Sequence, residues 1–221
     1  MHDLNAALDS DPSNADTLLL LSNCYLISGK VTTARQLIVR LIAVDPLTPL
    51  TRCMPAWADI LDGKFAAAVE PYRQMFEMDS SNPMARLFYV WVLILNRHTE
   101  EIDRLVGTFP PEVRDTVPAR LAEFLAHAVG GRRERAHATV TPAIETAAAT
   151  TDVFSRLLAQ GYALVDIREE AMRWLAVAVE RGFINYPFLA RHDPFFLDLR
   201  RDDAFRQLMK TVRVRWESFE E

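Results

Sequence analysis

The chain has 221 residues, half of them hydrophobic and a quarter charged, with a formal net charge of −5. That composition belongs to a folded globular protein, and the acidic balance argues against nucleic acid as the main partner, because phosphate binding needs a basic face. The longest apolar run, Leu87 to Leu95, is about half the roughly 20 residues that span a bilayer, so no membrane partner is expected.

In chain order, Asp11-Pro12-Ser13-Asn14 forms a turn, since Pro lacks a backbone donor and Ser and Asn bond locally. A helix then runs from Ala15 to Ile27 and ends at Ser28-Gly29. The next covers Thr32 to Val44 and stops at Asp45-Pro46. Thr48 caps a third, which runs through Trp57 to Leu61, and Asp62-Gly63 turns the chain back into Phe65 to Met78. Asp79-Ser80-Ser81-Asn82-Pro83 is another break, with Pro83 suited to a first helical turn, where its missing N–H is not needed. Further helices are expected at about 84–96, 99–108, 112–129, 133–148, 152–164, 167–181 and 202–219. No segment alternates with period two, so no sheet is expected.

Gly29, Gly63, Arg97 and Gly131 recur every 34 residues at the turns, and Pro12 and Pro46 keep the same interval. Five residues after each turn stand Ala34, Ala68, Ile102 and Ala136, where a second helix needs a modest side chain. A fixed period of this length marks stacked units, each too small to bury its own apolar face. It points to binding rather than catalysis.

Residues 15–48 resemble a tetratricopeptide repeat (TPR), with Leu18, Leu21, Ser22, Tyr25, Ala34, Ile38 and Pro46 at the places of that family's pattern. The second unit keeps Gly63, Ala68 and Tyr72 but has Arg52, Pro55 and Asp59 in the first-helix places. The third keeps Tyr89, Leu93 and Ile102, and the fourth Gly131 and Ala136, with Pro142 interrupting its second helix. The fifth slips by one residue and resumes with Leu158, Tyr162, Ala171, Leu175 and Ala178. The resemblance implies an all-α fold, a right-handed α-solenoid of about five TPR-like helix pairs over residues 2–185. Residues 186–221 are then an aromatic linker and C-terminal capping helix of the same domain. The stretch 171–219 is similar to the end of TPR modules in bacterial signalling proteins, where the repeats follow a kinase, cyclase or DNA-binding domain. In this register Leu4 and Ala7 fall on the second helix of an earlier unit. The chain is therefore expected to begin mid-repeat, as a fragment; the other reading makes residues 2–10 a single capping helix.

In this repeat family the first helix of each pair lines a concave groove. The resemblance places Leu19, Asn23 and Leu26 there from the first unit, and Leu50, Cys53, Trp57 and Ile60 from the second. Met84, Leu87, Trp91 and Ile94 follow from the third. Two readings stay open for this apolar stripe. It is ordinary core, or it is a groove that receives a partner helix or peptide, with Trp57 and Trp91 as anchors. A third has the groove filled by a preceding N-terminal region or by the tail around Phe195 and Phe196. The expected function is a non-enzymatic protein–protein interaction module, its partner a protein, a peptide, the N-terminal region of the same protein or a second copy. The alternative is a regulatory or oligomerisation segment of a larger bacterial signalling enzyme or transcription regulator. Some family members clamp acidic chain ends with Lys, Arg and Asn. Asn23 matches one such place, but Leu19, Met54, Met84 and Phe88 hold the others, so that clamp is not expected.

No catalytic, metal or cofactor constellation is expected. His98, His127, His137 and His192 lie apart, with no metal-site spacing. Asp193 is expected to cap a short helix starting at Pro194. Cys24 and Cys53 stand alone and read as buried thiols of a reducing compartment, which makes the cytoplasm the expected location. Phe183, Tyr186, Phe188, Phe195 and Phe196 read as a plug sealing the last repeat.

Overall fold

The residues of the 34-residue period end helices, and they do so with one repeated geometry. In the computed structural model, which describes residues 2–219, Gly29, Gly63 and Gly131 adopt φ of +76°, +79° and +67°, and Arg97 adopts +59°. The residue after each donates its N–H back into the preceding helix. Lys30 bonds the Tyr25 carbonyl at 2.8 Å and Lys64 that of Asp59 at 2.8 Å; His98 reaches Leu93 at 2.9 Å and Arg132 reaches His127 at 2.9 Å. A left-handed residue followed by this backward bond is the Schellman closure, which satisfies carbonyls that a helix end leaves open. The fifth copy comes one residue late, at Asp166 with φ +55°, where Ile167 N–H bonds Tyr162 O at 3.0 Å. Five residues beyond each turn, Ala34, Ala68, Ile102, Ala136 and Ala171 are all buried.

Arg97 holds its left-handed conformation against the crowding of its own Cβ, and its side chain is exposed. Arg97→Gly is therefore expected to stabilise the protein by about 1 kcal/mol. The melting temperature should rise by roughly 2–4 °C, and an unchanged or lower value in a thermal melt would contradict this account of the turn.

Every regular element among the described residues is helical. α1 (His2–Ser10) leads into α2 (Ala15–Ile27), which Asn14 caps by accepting the Thr17 N–H at 2.9 Å. α3 (Val31–Val44) and α4 (Pro49–Leu61) follow. A 3-10 turn over Phe65–Ala68 opens the next helix, which becomes regular as α5 (Val69–Met78). α6 (Pro83–Leu95) starts under an Asn82 cap. Its Leu87–Leu95 run is apolar all round, and within it only Phe88 is half-buried, the others buried.

The following segment is more broken than the periodicity predicts. α7 covers only Ile102–Gly107, and α8 runs Val117–Val129 after a separate 3-10 turn at Pro111–Val113. The expected 133–148 helix splits into α9 (Arg133–Thr139) and α10 (Pro142–Ala148). Pro142 has no N–H to continue the ladder, and Thr141 restarts it by accepting the Ile144 N–H. α11 (Asp152–Leu164) and α12 (Arg168–Glu180) form the last regular pair. A π-turn at Phe188–His192 and 3-10 turns at Pro194–Phe196 and Leu199–Arg201 connect it to α13 (Asp203–Glu217). Asp193 caps the Pro194 turn by accepting the Phe195 N–H at 3.0 Å.

Neighbouring helices pack in sequence, α2 on α3, α3 on α4, α4 on α5, α5 on α6, and then α6 on α8 and α8 on α11. The C-terminal segment does more than seal the last pair, as the aromatic pattern suggests: it returns to the first. Ile184 N–H bonds Ile27 O at 3.0 Å, and Asn185 Nδ2 donates to Leu26 O at 2.9 Å across 159 residues. Trp216 donates its indole N–H to Gly29 O at 3.4 Å, and its ring lies where a Cβ on Gly29 would come within 2.9 Å. Tyr25 meets Phe219 edge-on at 6.1 Å. Contacts of this span are absent from a simple array in which each repeat touches only its neighbours. Phe183, Phe188 and Phe196 are completely buried along this return path, whereas Tyr186 and Phe195 are half-buried. No helix among the described residues is long and apolar enough to cross a membrane.

Candidate functional site

A cleft of about 280 Å³ opens where α2, α4, α5, α6 and α11 meet. α2 presents Leu19, Leu20, Asn23 and Ile27 to it, and α4 presents Leu50, Cys53, Met54 and Trp57. Tyr72 and Met75 come from α5, Phe88 and Trp91 from α6, and Asp152, Val153 and Arg156 from α11. Leu20 and Leu50 at the rim are 53% and 45% exposed, large values for leucines on regular helices.

The eleven residues assigned to the groove from sequence divide into three groups. Leu19, Asn23, Leu50, Cys53, Trp57 and Trp91 do line the cleft. Leu26, Ile60, Leu87 and Ile94 are instead buried in the core, 4% exposed or less. Met84 is half-buried against the core, outside the cleft. The core residues depart from the expectation for a physical reason. Leu26 and Ile60 sit in the last turn of their helices, where the Schellman closure folds the chain over them. Leu87 and Ile94 belong to α6, which is covered from both α5 and α8.

The two tryptophans meet edge-on, ring centroids 5.7 Å apart. Trp57 is half-buried and donates its indole N–H to Asn23 Oδ1 at 3.3 Å. Trp91 is 2% exposed and donates to Gln160 Oε1 at 2.9 Å. Trp91 is thus an internal wall of the cleft rather than an anchor offered to a partner. Gln160 in turn donates to Asp193 Oδ2 at 2.7 Å, so a buried relay runs from the cleft wall into the C-terminal segment. Burial pushes the Asp193 carboxyl up to about 6, against the lowering effect of Gln160, the Phe195 N–H, Arg156 and Arg200.

Arg156 is the most unusual group in the site. Only 2% exposed, its guanidinium lies 5.1 Å from the Trp57 ring, 4.9 Å from Trp91 and 5.0 Å from Phe183. Cation–π contacts of this kind are each worth about 0.5–2 kcal/mol. The rings supply no lone-pair acceptor for its N–H groups. Neither Nε nor Nη1 has a hydrogen-bond partner among the described residues. Burial pulls the Arg156 pKa down, and the nearby Asp152, Asp193 and Tyr72 push it back up. Burial raises the Asp152 pKa, while Arg156 and the backbone N–H groups of Asp152 and Val153 lower it.

Sequence reasoning missed this group because it compared first-helix positions of only three units. A signal was present. Asp152, Arg156 and Gln160 recur at i, i+4 and i+8 in α11, a polar row on one face of a helix otherwise rich in Leu, Val, Phe and Ala. Arg156 and Gln160 in that row are buried.

Both cysteines are free thiols. Burial raises the Cys53 pKa to about 11, and its Sγ–H faces Pro71 O at 3.4 Å, which keeps it protonated and unreactive at neutral pH. Among the described residues no group of His, Cys, Asp and Glu is arranged to hold a metal ion. Compared with known proteins, the sequence matches no family model and no curated protein.

Proposed function

We propose that the chain is a non-enzymatic protein–protein interaction module of the cytoplasm, built from TPR-like helix pairs wound as a right-handed α-solenoid. An apolar segment of a partner helix or peptide lies across the mouth of the cleft and lowers apolar side chains between Leu20 and Leu50. The observation that carries this reading is the exposed apolar rim over an apolar cleft. Each leucine at the rim leaves surface in water that a partner would cover, at about 25 cal/mol per Å². Trp57, half-buried at the same wall, is the aromatic group placed to dominate such a contact. The five Schellman turns at an interval of 34 or 35 residues support the repeat reading.

Selection from a displayed random-peptide library tests the proposal. The expected result is a set of enriched peptides sharing two or three apolar positions. Their affinity should fall at least about tenfold, or about 1.4 kcal/mol, for a Leu20→Asp/Leu50→Asp protein that melts like the wild type. A library that yields no enrichment, or peptides indifferent to those substitutions, would remove the reading.

A further inference from the structure

We propose that the floor of the cleft is a binding site for a small apolar monocarboxylate, whose carboxylate is received by Arg156 and whose tail points out toward Leu20 and Leu50. This goes beyond partner docking, because it gives the cleft a small-molecule ligand of its own.

The other buried arginine supplies the contrast. Arg86 is 6% exposed; its Nε also lacks a partner, but both Nη atoms are answered, by Leu105 O at 2.8 Å, Thr108 Oγ1 at 3.0 Å and Ser80 O at 2.9 Å. That is a structural arginine, with acceptors supplied by the fold. Arg156 is buried more deeply, lines a cleft, and has no acceptor for Nε or Nη1. Guanidinium N–H groups are donors only, and leaving them unanswered costs the folded protein more than a neutral group would. The missing partner is an acceptor, and a carboxylate is the acceptor whose charge and fork geometry suit a guanidinium best.

The nearby acids do not fill that role. Asp193 is engaged by Gln160 and the Phe195 N–H, and Asp152 is close enough for Arg156 to lower its pKa, yet neither acid supplies an acceptor to Nε or Nη1. The three rings around it meanwhile hold the guanidinium in place, so little side-chain freedom remains to be lost on binding.

The walls select what carries the carboxylate. The cleft's volume, about 280 Å³, is at the small end of ligand sites. Of its polar lining groups, Asn23 already accepts from Trp57, and Asp152 stands beside Arg156, its pKa raised by burial. A peptide entering with its terminal carboxylate would bury amide N–H and C=O groups against apolar walls, each without a partner. An apolar acid has no polar group except the one Arg156 answers. Its tail fills the mouth where a partner's side chain would enter, so the two ligands exclude one another.

Calorimetric titration of the full chain with octanoate and with octanamide tests the assignment, since the two differ only in the charged head. The expected result is that wild type binds octanoate at least tenfold more tightly than octanamide. In Arg156→Met, shown to be folded by its circular dichroism melt, that preference should fall to within twofold, with octanamide binding little changed. Equal binding of acid and amide by wild type overturns the proposal even if the variant fails to fold. So does undiminished octanoate binding by a folded Arg156→Met, or no binding by octanoate. A blocked peptide ending in Leu-Leu with a free carboxylate is the third probe, and tighter binding of it than of octanoate would replace the small ligand with a chain terminus.

Discussion

Trp91→Ala is expected to remove about 3–5 kcal/mol of stability, the range for deleting a fully buried large aromatic side chain. For a chain of this size the melting temperature should fall by roughly 6–20 °C. Four losses combine. The substitution vacates the space behind Trp57, removes an edge-on contact at 5.7 Å, and leaves Gln160 Oε1 without its 2.9 Å donor in a buried relay. It also removes one of the three rings on Arg156. Trp57→Ala should cost only about 1–2 kcal/mol, because half-burial limits the transfer term and its Asn23 bond lies at the cleft. The pair of melts separates an internal wall from a contact surface. If Trp57→Ala proves as damaging as Trp91→Ala, the assignment of Trp57 to the binding face fails.

The second large effect is a pH dependence centred on Asp193. Its carboxyl is ordinarily at 3.8 and is pushed up to about 6 in the folded protein. The folded state therefore holds the proton more tightly than the unfolded state. The stabilisation is fully present below about pH 3.8 and is lost as pH rises through about 6, where the buried group ionises. A rise of that size corresponds to on the order of 3 kcal/mol. Carboxylates with lowered pKa, such as Asp103 beside Arg132, work in the opposite direction as acid is added. The clean observable is thus a difference. Wild-type stability minus that of Asp193→Asn, from urea melts at several pH values, should decrease by up to that amount between pH 4 and 7. A flat difference would show that Asp193 stays charged, or stays neutral, throughout.

How much of this was legible in the sequence depends on how far apart the participating residues are. The helix ends were readable because their determinants are local. Asn14 and Asn82 cap within three residues, and Gly29, Gly63 and Gly131 supply the left-handed residue that a Schellman turn needs. Ala15–Ile27 and the 152–164 helix are found with the bounds expected. The split at Thr139 was foreshadowed by Pro142, but the 3-10 start at Phe65 was not, since nothing in Phe65-Ala66-Ala67-Ala68 opposes a regular helix. The cleft was half legible. Register within α2 and α4 brought out Leu19, Asn23, Cys53 and Trp57. Arg156 reaches the site from α11, 99 residues beyond Trp57 and 65 beyond Trp91, and Phe183 comes from the returning tail. Pairings at such separations leave no mark in a single periodic pattern.

The bond from Asn185 back to the Leu26 carbonyl also sets a timetable for the protein's birth. The ribosome makes Leu26 159 residues before Asn185, an interval of roughly 8–30 s at ordinary elongation rates. Throughout it, the C-terminal end of α2 waits with Leu26 O and Ile27 O unanswered by the tail and Gly29 uncovered by Trp216. Arg156 likewise emerges before Phe183 exists to stack on it. The floor of the cleft is therefore among the last parts of the molecule to mature, and a nascent chain released before its tail is made carries an unfinished site.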